Sequence, residues 1–174
     1  MLKRIISAAL VVCLALCGVS CQKQEKEKFV DGHLTYVLYE DGTYGVEATN
    51  SENMPEELVI PSTYNGGAVT RIEDSGFANC DTIVTVTVPT SIKSLGNGAF
   101  YMCDMLARIT LEGDIPNGIG SGALAFVGQR FSIYYNGTLE QWENLYKQGN
   151  WNIDSEYNLY CTDGSLLDQK GREA

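Results

Sequence analysis

One pattern of apolar residues occurs twice between Val69 and Leu111, and this repetition restricts the possible folds more than any other feature of the sequence. Equivalent apolar positions recur after 23 residues. The equivalent pairs are Ile72 and Leu95, Phe77 and Phe100, Cys80 and Cys103, and Val86 and Ile109. A short fixed period is typical of a solenoid, in which each unit covers its apolar side by stacking on a neighbour. The sequence therefore predicts a stack of repeats.

Further copies of the pattern lie on both sides of these two units. Residues 58–61 resemble the strand at the end of the first unit and lie 28 positions before it. This spacing exceeds the period of 23 because the turn at 64–67 contains extra residues. Residues 119–135 repeat the second unit after 24 positions, with one insertion at 116–118. We expect four strands to pair edge to edge in one parallel sheet, with right-handed coiling.

The two ends of the stack carry different signals. Alternating residues at 34–39 and 44–48 flank Asp41-Gly42, which predicts a β-hairpin that covers the first open end. Thr138 and Gln141 form a capping box, which predicts a helix that closes the other end. The sequence predicts that Gly149 stops this helix and that a last strand follows at 157–161. The expected core face of the helix consists of Leu139, Trp142, Leu145 and Tyr146.

Several of these segments together resemble the BspA-like leucine-rich repeats. They are Ile-Pro-Ser-Thr-Tyr-Asn-Gly-Gly at 60–67, Gly-Phe-Ala-Asn-Cys at 76–80, Val-Thr-Val-Pro at 86–89, Gly-Ala-Phe-Tyr-Met-Cys at 98–103, and the closing segments at 133–142 and 160–164. The resemblance covers residues 34–167. The sequence departs from the family pattern at Leu124 and Val127, because the earlier units have Phe and Cys at the equivalent positions.

The resemblance, with the repeat pattern, implies a β-rich α/β solenoid with a parallel sheet. In this interpretation an N-terminal β-hairpin cap spans 29–57, a short leucine-rich-repeat stack spans 58–137, a C-terminal helix-plus-strand cap spans 138–167 and a tail spans 168–174. The resemblance also implies a surface protein that adheres to a protein of a host or neighbouring cell.

The first residues of the chain indicate export. Lys3 and Arg4 precede an apolar run at 5–16 that is too short to span a bilayer comfortably, and small residues follow before Cys21. This arrangement resembles the lipobox of bacterial lipoproteins, which implies a signal peptide at 1–20 and a diacylated Cys21. Gly18 stands where that family usually has Leu. An ordinary cleaved signal that contains a Cys is the alternative.

The segment 21–28 follows as a polar stretch of mixed charge, which predicts a flexible tether. A lipid with a short tether is consistent with a protein held at a membrane surface. Residue 22 is Gln rather than Asp, which resembles the outer-membrane sorting rule of Gram-negative lipoproteins. We therefore expect an exported protein, lipid-anchored to the bacterial outer membrane or cell surface.

Composition narrows the possible functions. The formal net charge is −10, and it becomes −12 when residues 1–20 are removed, because two cationic residues leave with them. This acidity argues against a nucleic-acid partner, which needs patches of Lys and Arg. His33 is the only histidine, so little is available for metal binding or general-base chemistry. We predict no metal, no cofactor and no enzymatic activity. A small enzyme is the weakest alternative, because no paired-acid, Ser–His or metal pattern occurs.

Three other groups have a structural and a functional interpretation. Glu40 and Asp41 suit a metal or sugar site, but adjacent acids at a hairpin tip are usually turn residues. Cys80 and Cys103 occupy equivalent positions and are interpreted as small core residues, with a disulfide as the alternative. Cys161 has no nucleophile motif around it, so a thiol enzyme is not favoured.

The outward side of the predicted sheet carries the candidate ligand-binding residues. They are Thr85, Thr87, Arg108, Thr110, Ser132 and Tyr134. Solenoids commonly bind partners along such an extended face, although a solvated strand surface is the simpler interpretation. An extracellular protein is the expected ligand. A glycan bound through Tyr residues, Trp142 or Trp151 is the alternative.

Overall fold

The computed structural model describes residues 26–128, 130–164 and 166–168. Cys21 and the segment 1–25 lie outside the described residues, as does the tail beyond 168. The elements are β1 (Lys28–Asp31), β2 (Leu34–Leu38), β3 (Tyr44–Ala48), a 3-10 turn (Ser51–Asn53), β4 (Glu57–Val59), β5 (Thr63–Tyr64), β6 (Gly67–Ile72), β7 (Thr85–Val88), β8 (Ser94–Leu95), β9 (Arg108–Leu111), β10 (Phe131–Tyr135), α1 (Leu139–Asn144), β11 (Tyr157–Cys161) and β12 (Leu166–Asp168).

One sheet runs the length of the repeats, and we call it the repeat sheet. It contains β4, β7, β9, β10 and β11 in that order, all parallel, and β12 closes it in the antiparallel direction. Val86 lies opposite Leu58 on one side and Ile109 on the other. The predicted four-strand parallel stack is therefore confirmed, and β11 extends it as a further parallel strand.

A second sheet lies along another side of the coil. In this sheet β6 pairs in parallel with β3 and with β8. Single parallel bridges extend the pairing from Leu95 to Ile119 and from Ile119 to Lys147. The sequence did not predict this sheet. Its later members are only two residues or one residue long, which is too short to show an alternating pattern.

The N-terminal hairpin forms as predicted, with β2 antiparallel to β3 around the Asp41-Gly42 turn. Gly42 has a φ of +78°, a conformation that glycine adopts without steric cost. An additional strand, β1, pairs with β2, so Lys28 belongs to the sheet rather than to the tether predicted at 21–28. Only Phe29 is even partly buried in β1, which explains why no alternating strand pattern marks this segment.

The interior of the coil is filled by side chains that stack from one repeat to the next. The rings of Phe77 and Phe100 are parallel within 11°, with centroids 5.4 Å apart, and both are fully buried. Leu124 takes the equivalent place in the third unit and is also buried. The substitution of Phe by Leu therefore keeps the position in the core.

Close backbone approach fixes the distance between coils at one corner. A Cβ atom on Gly96 would lie 2.6 Å from the Asp74 backbone nitrogen, and one on Gly120 would lie 2.6 Å from the Asn97 nitrogen. The Asn97 N–H donates to the Asp74 carboxylate at 2.7 Å, and the Ser121 N–H donates to the Asn97 side-chain oxygen at 3.0 Å. Glycine at this corner lets successive turns share these hydrogen bonds.

The C-terminal helix starts as predicted but ends earlier. Thr138 and Gln141 form the capping box, and Trp142 is buried. The helix ends at Asn144, so the prediction that Gly149 stops it was wrong. Tyr146 is 63% exposed rather than on the core face. Its carbonyl instead accepts the Ile119 N–H at 2.9 Å, because the chain leaves the helix to extend the second sheet.

Candidate functional site

The six candidate binding residues lie on the outward side of the repeat sheet. Residues with buried side chains alternate with them along β7, β9 and β10. The strand register places them in two rows that cross the strands. Thr85, Arg108 and Ser132 lie opposite one another in one row, and Thr87, Thr110 and Tyr134 do so in the other. Their role in binding stays a prediction.

Four more residues extend these two rows. Glu57 and Asn158 continue the first row, and Val59 and Tyr160 continue the second. Tyr160 was missed because it lies 26 residues after Tyr134, whereas the predicted units repeat after 23 or 24. The alternation of residues 157–161 was the only signal for it. The outward side is therefore longer than the sequence indicated.

Arg108, Tyr134 and Tyr160 form a continuous stack on this side. The Arg108 guanidinium carbon lies 5.1 Å from the centre of the Tyr134 ring. The rings of Tyr134 and Tyr160 are parallel within 11°, with centroids 4.7 Å apart. Because β10 lies between β9 and β11, the guanidinium and the Tyr160 ring cover opposite faces of Tyr134. Tyr134 remains 38% exposed.

A groove of about 410 Å³ adjoins this stack where the strands end. Its lining residues are Thr110, Glu112, Tyr134, Tyr135, Asn136, Tyr160, Cys161 and Thr162. The Asn136 side-chain amide donates to the Glu112 carbonyl at 3.0 Å, which ties neighbouring strand ends together. The groove thus offers hydroxyl and carboxylate groups beside three tyrosines.

The thiol beside this groove is not activated. Burial raises the pKa of Cys161 above its ordinary value, and the nearby Asp163 raises it further. A reactive cysteine needs the opposite shift, because the thiolate is the nucleophile.

Cys80 and Cys103 are buried free thiols in the core. The Cys103 thiol donates to the Phe77 carbonyl at 3.0 Å. Burial raises the pKa of Cys80 to about 11 and that of Cys103 to about 12. Their interpretation as small core residues is confirmed, and the disulfide alternative is not.

The other candidate sites have ordinary structural environments. Hydrogen bonds from Thr43 lower the pKa of Asp41, which is normal chemistry for a turn. Trp142 is buried, and Trp151 packs against it edge to face at 5.8 Å. Across the described ranges, no three His, Cys, Asp or Glu residues are grouped so that they could hold a metal ion. No helix in that part of the chain is long and apolar enough to cross a membrane.

The repeat architecture is matched by a known family. The profile of the BspA type leucine rich repeat region matches residues 51–147 in six copies, which is more than half of the chain. The chain therefore belongs to the BspA-type leucine-rich repeat family. A search among curated proteins found no match.

Solved structures of bacterial proteins share the fold. A leucine rich cell surface protein from Faecalibacterium prausnitzii A2-165 aligns with a TM-score of 0.50 at 15% identity, over 84% of this chain and 60% of that one. A leucine-rich repeat protein from Bacteroides capillosus aligns with a TM-score of 0.52 at 21% identity, over 77% of this chain and 97% of that one. At these identities the likeness concerns the fold alone.

Proposed function

We propose that this protein is a non-enzymatic, cell-surface lipoprotein that binds an extracellular protein through the outward side of its repeat sheet. We call this surface the binding face. Its residues are Thr85, Thr87, Arg108, Thr110, Ser132, Tyr134 and Tyr160. The observation that carries the proposal is the stack of Arg108, Tyr134 and Tyr160.

The chemistry of the stack suits a protein ligand. Tyr and Arg are enriched among the residues that dominate protein interfaces. Stacking also holds Arg108 and Tyr134 in place before a ligand arrives. Side chains that are already ordered lose less conformational entropy on binding, so more of the contact energy appears as affinity.

A glycan is the second candidate, because the groove beside Tyr134 and Tyr160 offers polar groups at Glu112, Asn136 and Thr162. Sugar C–H groups, however, pack on an open aromatic face, where the ring carries partial negative charge. Both faces of Tyr134 are covered by its neighbours, and Trp142 is buried. This arrangement favours a ligand that contacts ring edges and hydroxyls, as protein surfaces do.

A direct comparison of ligand classes tests the proposal. The purified protein is measured against an array of immobilised extracellular matrix proteins and against a glycan array, with heat-unfolded protein as the control. We expect saturable binding to at least one matrix protein and no glycan binding above the control. Saturable glycan binding without any protein binding would favour the second candidate and overturn the first.

Attachment to the cell surface rests on the sequence before the described residues. Cys21 follows the pattern of a lipidation site and precedes Lys26 by five positions. Lys26 packs over the Tyr39 ring of the N-terminal hairpin at 3.8 Å, so the chain enters the domain at this cap. The Faecalibacterium protein of the same fold is described as a cell surface protein, which is consistent with export.

The Cys21→Ser variant tests the attachment. Without the thiol no thioether-linked diacylglycerol can form, so we expect the variant to lose incorporated fatty acid and to leave the membrane fraction. Metabolic labelling with a fatty acid and cell fractionation measure both effects, and Cys161→Ser is the matched control. Unchanged labelling of the Cys21→Ser protein would refute the lipoprotein assignment.

A further inference from the structure

A second exposed surface lies on the turns that precede the strands of the repeat sheet, and we call it the turn ridge. It consists of Tyr101, Met102, Met105, Phe126 and Ile153. These side chains are between 36% and 58% exposed, although all are large and apolar. Contiguous apolar surface of this kind on a soluble domain usually marks a site of interaction.

Several members of the turn ridge lie side by side in neighbouring repeats. The Tyr101 and Phe126 rings meet edge to face with centroids 5.4 Å apart. The Met102 N–H donates to the Ala125 carbonyl at 3.1 Å, and the Phe126 N–H donates to the Ile153 carbonyl at 3.1 Å. Met102 and Phe126 are thus equivalent positions in adjacent coils, and the ridge follows the direction of stacking.

The backbone conformation at these positions does not favour the residues found at two of them. Asn79, Met102, Phe126 and Asp154 are equivalent in four successive turns and have φ values of +58°, +56°, +54° and +53°. Asn and Asp tolerate this conformation, whereas side chains such as Met and Phe rarely adopt it. The burial that Met102 and Phe126 gain in return is incomplete, since they remain 42% and 38% exposed. Such a combination is expected where the side chain serves binding.

Carboxylates surround the turn ridge. Asp81 and Asp104 follow the buried Cys80 and Cys103, and both are exposed. A cleft of about 620 Å³ brings Phe126 together with Asp104, Asp154 and Glu156. Glu156 pairs with Arg130 at 3.3 Å, but Asp81, Asp104 and Asp154 form no ion pair within the described part of the chain. The apolar surface is therefore bordered by negative charge.

We propose that the turn ridge binds a cationic amphipathic helix presented by a partner protein. Its apolar side would lie on Met102, Met105 and Phe126, and its Lys or Arg residues would face Asp81, Asp104 and Asp154. Methionine suits this role because its flexible, polarizable side chain adapts to different apolar partners. Amphipathic helices commonly bind in this way, with the apolar side in a groove and the charged residues along its rim.

The charge pattern disfavours two other occupants. A second copy of the chain would place its own carboxylates against Asp104 and Asp154. An anionic lipid surface would repel the same residues, and the protein without residues 1–20 has a formal net charge of −12. The turn ridge also lies on a surface other than the binding face, so the two proposals can fail separately.

The test uses three synthetic peptides of about 18 residues, which is roughly five helical turns. The first is an amphipathic helix of Leu and Lys, the second replaces each Lys by Glu, and the third has the Leu and Lys order scrambled. Fluorescence anisotropy measures their affinity for the purified protein. We expect the first peptide to bind at least about tenfold more tightly than either control, a difference of about 1.4 kcal/mol. Equal affinities, or no binding of the first peptide, would overturn the proposal.

Variants locate the binding to the turn ridge. Because Asn tolerates the positive φ, the relief of backbone strain should offset the lost Tyr101–Phe126 contact. The Met102→Asn/Phe126→Asn protein should therefore melt within a few degrees of the unchanged protein. The affinity of this double variant for the Leu–Lys peptide should fall by about tenfold or more. The Asp104→Asn protein should bind the peptide more weakly, and its affinity should depend less on the salt concentration. The Arg108→Ala/Tyr134→Ala protein should bind the peptide normally. Full peptide affinity in the folded double Asn variant would refute the assignment.

Discussion

Individual side chains join one coil of this protein to the next. Phe77 and Phe100 fill the same place in successive repeats, and their parallel rings are fully buried. An aromatic side chain contributes a large apolar area, and a stacked pair adds attraction beyond that area. Each of these rings therefore supports two coils, since each packs within its own repeat and against a neighbouring one.

Replacing either ring should weaken the whole stack. The Phe77→Ala and Phe100→Ala proteins should each lose about 3–5 kcal/mol of unfolding free energy, because truncation leaves a cavity that the coils cannot close. Urea unfolding followed by circular dichroism measures the loss. The exposed Tyr146→Ala is the control and should change the free energy by less than about 0.5 kcal/mol. A loss that small at Phe77 would show that its ring is not in the core.

The sequence predicted core residues better than surface residues. Phe77, Phe100 and Leu124 followed from the repeat alone, because a buried position must stay apolar in every unit. Tyr160 lies on the same outward row as Tyr134, but the longer spacing before it hid the equivalence. Tyr146 fitted the apolar side of a helix, yet the helix had already ended. Surface tyrosines carry no such periodic constraint.

At the scale of elements, the distance between coils depends on how closely the backbone of one coil can approach that of the next. Gly96 and Gly120 occupy the same corner, and each packs directly against the backbone of the preceding coil. There the Asn97 N–H reaches the Asp74 carboxylate, and the Ser121 N–H reaches the Asn97 side chain. A side chain at either glycine would separate these hydrogen-bonded turns.

The Gly96→Ala variant should therefore destabilise the stack. Its added methyl would meet the Asp74 nitrogen at 2.6 Å, and backbone cannot move aside as a flexible side chain can. We expect a loss of about 1–3 kcal/mol, the usual cost of overpacking. Gly149→Ala is the matched control, since no atom lies within 4 Å of its added methyl. Equal stability of the two variants in thermal unfolding would refute the close approach.

Elements with strong local signals were predicted correctly. The Asp41-Gly42 turn fixed the hairpin, and the Thr138 capping box fixed the helix start. The helix end depended on a distant contact, because the Tyr146 carbonyl pairs with Ile119. The second sheet was missed for the same reason, since pairing between coils rather than local alternation defines its short strands.

At the scale of the whole molecule, stacking brings residues that are far apart in sequence onto one surface. Arg108, Tyr134 and Tyr160 come from three successive strands of the repeat sheet, yet they form one continuous stack. Both caps cover the ends of the coil and leave this side exposed. The sequence predicted the sheet register and hence two members of the stack, but not the contacts between them.

The most direct test is a binding measurement on two double variants. Their affinity is measured for the matrix protein that the unchanged protein binds. The first is Arg108→Ala/Tyr134→Ala, and the second is the matched control Arg130→Ala/Tyr146→Ala, which removes the same residue types at other exposed positions. Both should melt within a few degrees of the unchanged protein, because none of these side chains fills the core.

Surface plasmon resonance should show that the first variant binds about thirtyfold more weakly, a loss of about 2 kcal/mol, while the control keeps its affinity. Equal affinity of the two folded variants would contradict the claim that the outward side of the repeat sheet is the binding face.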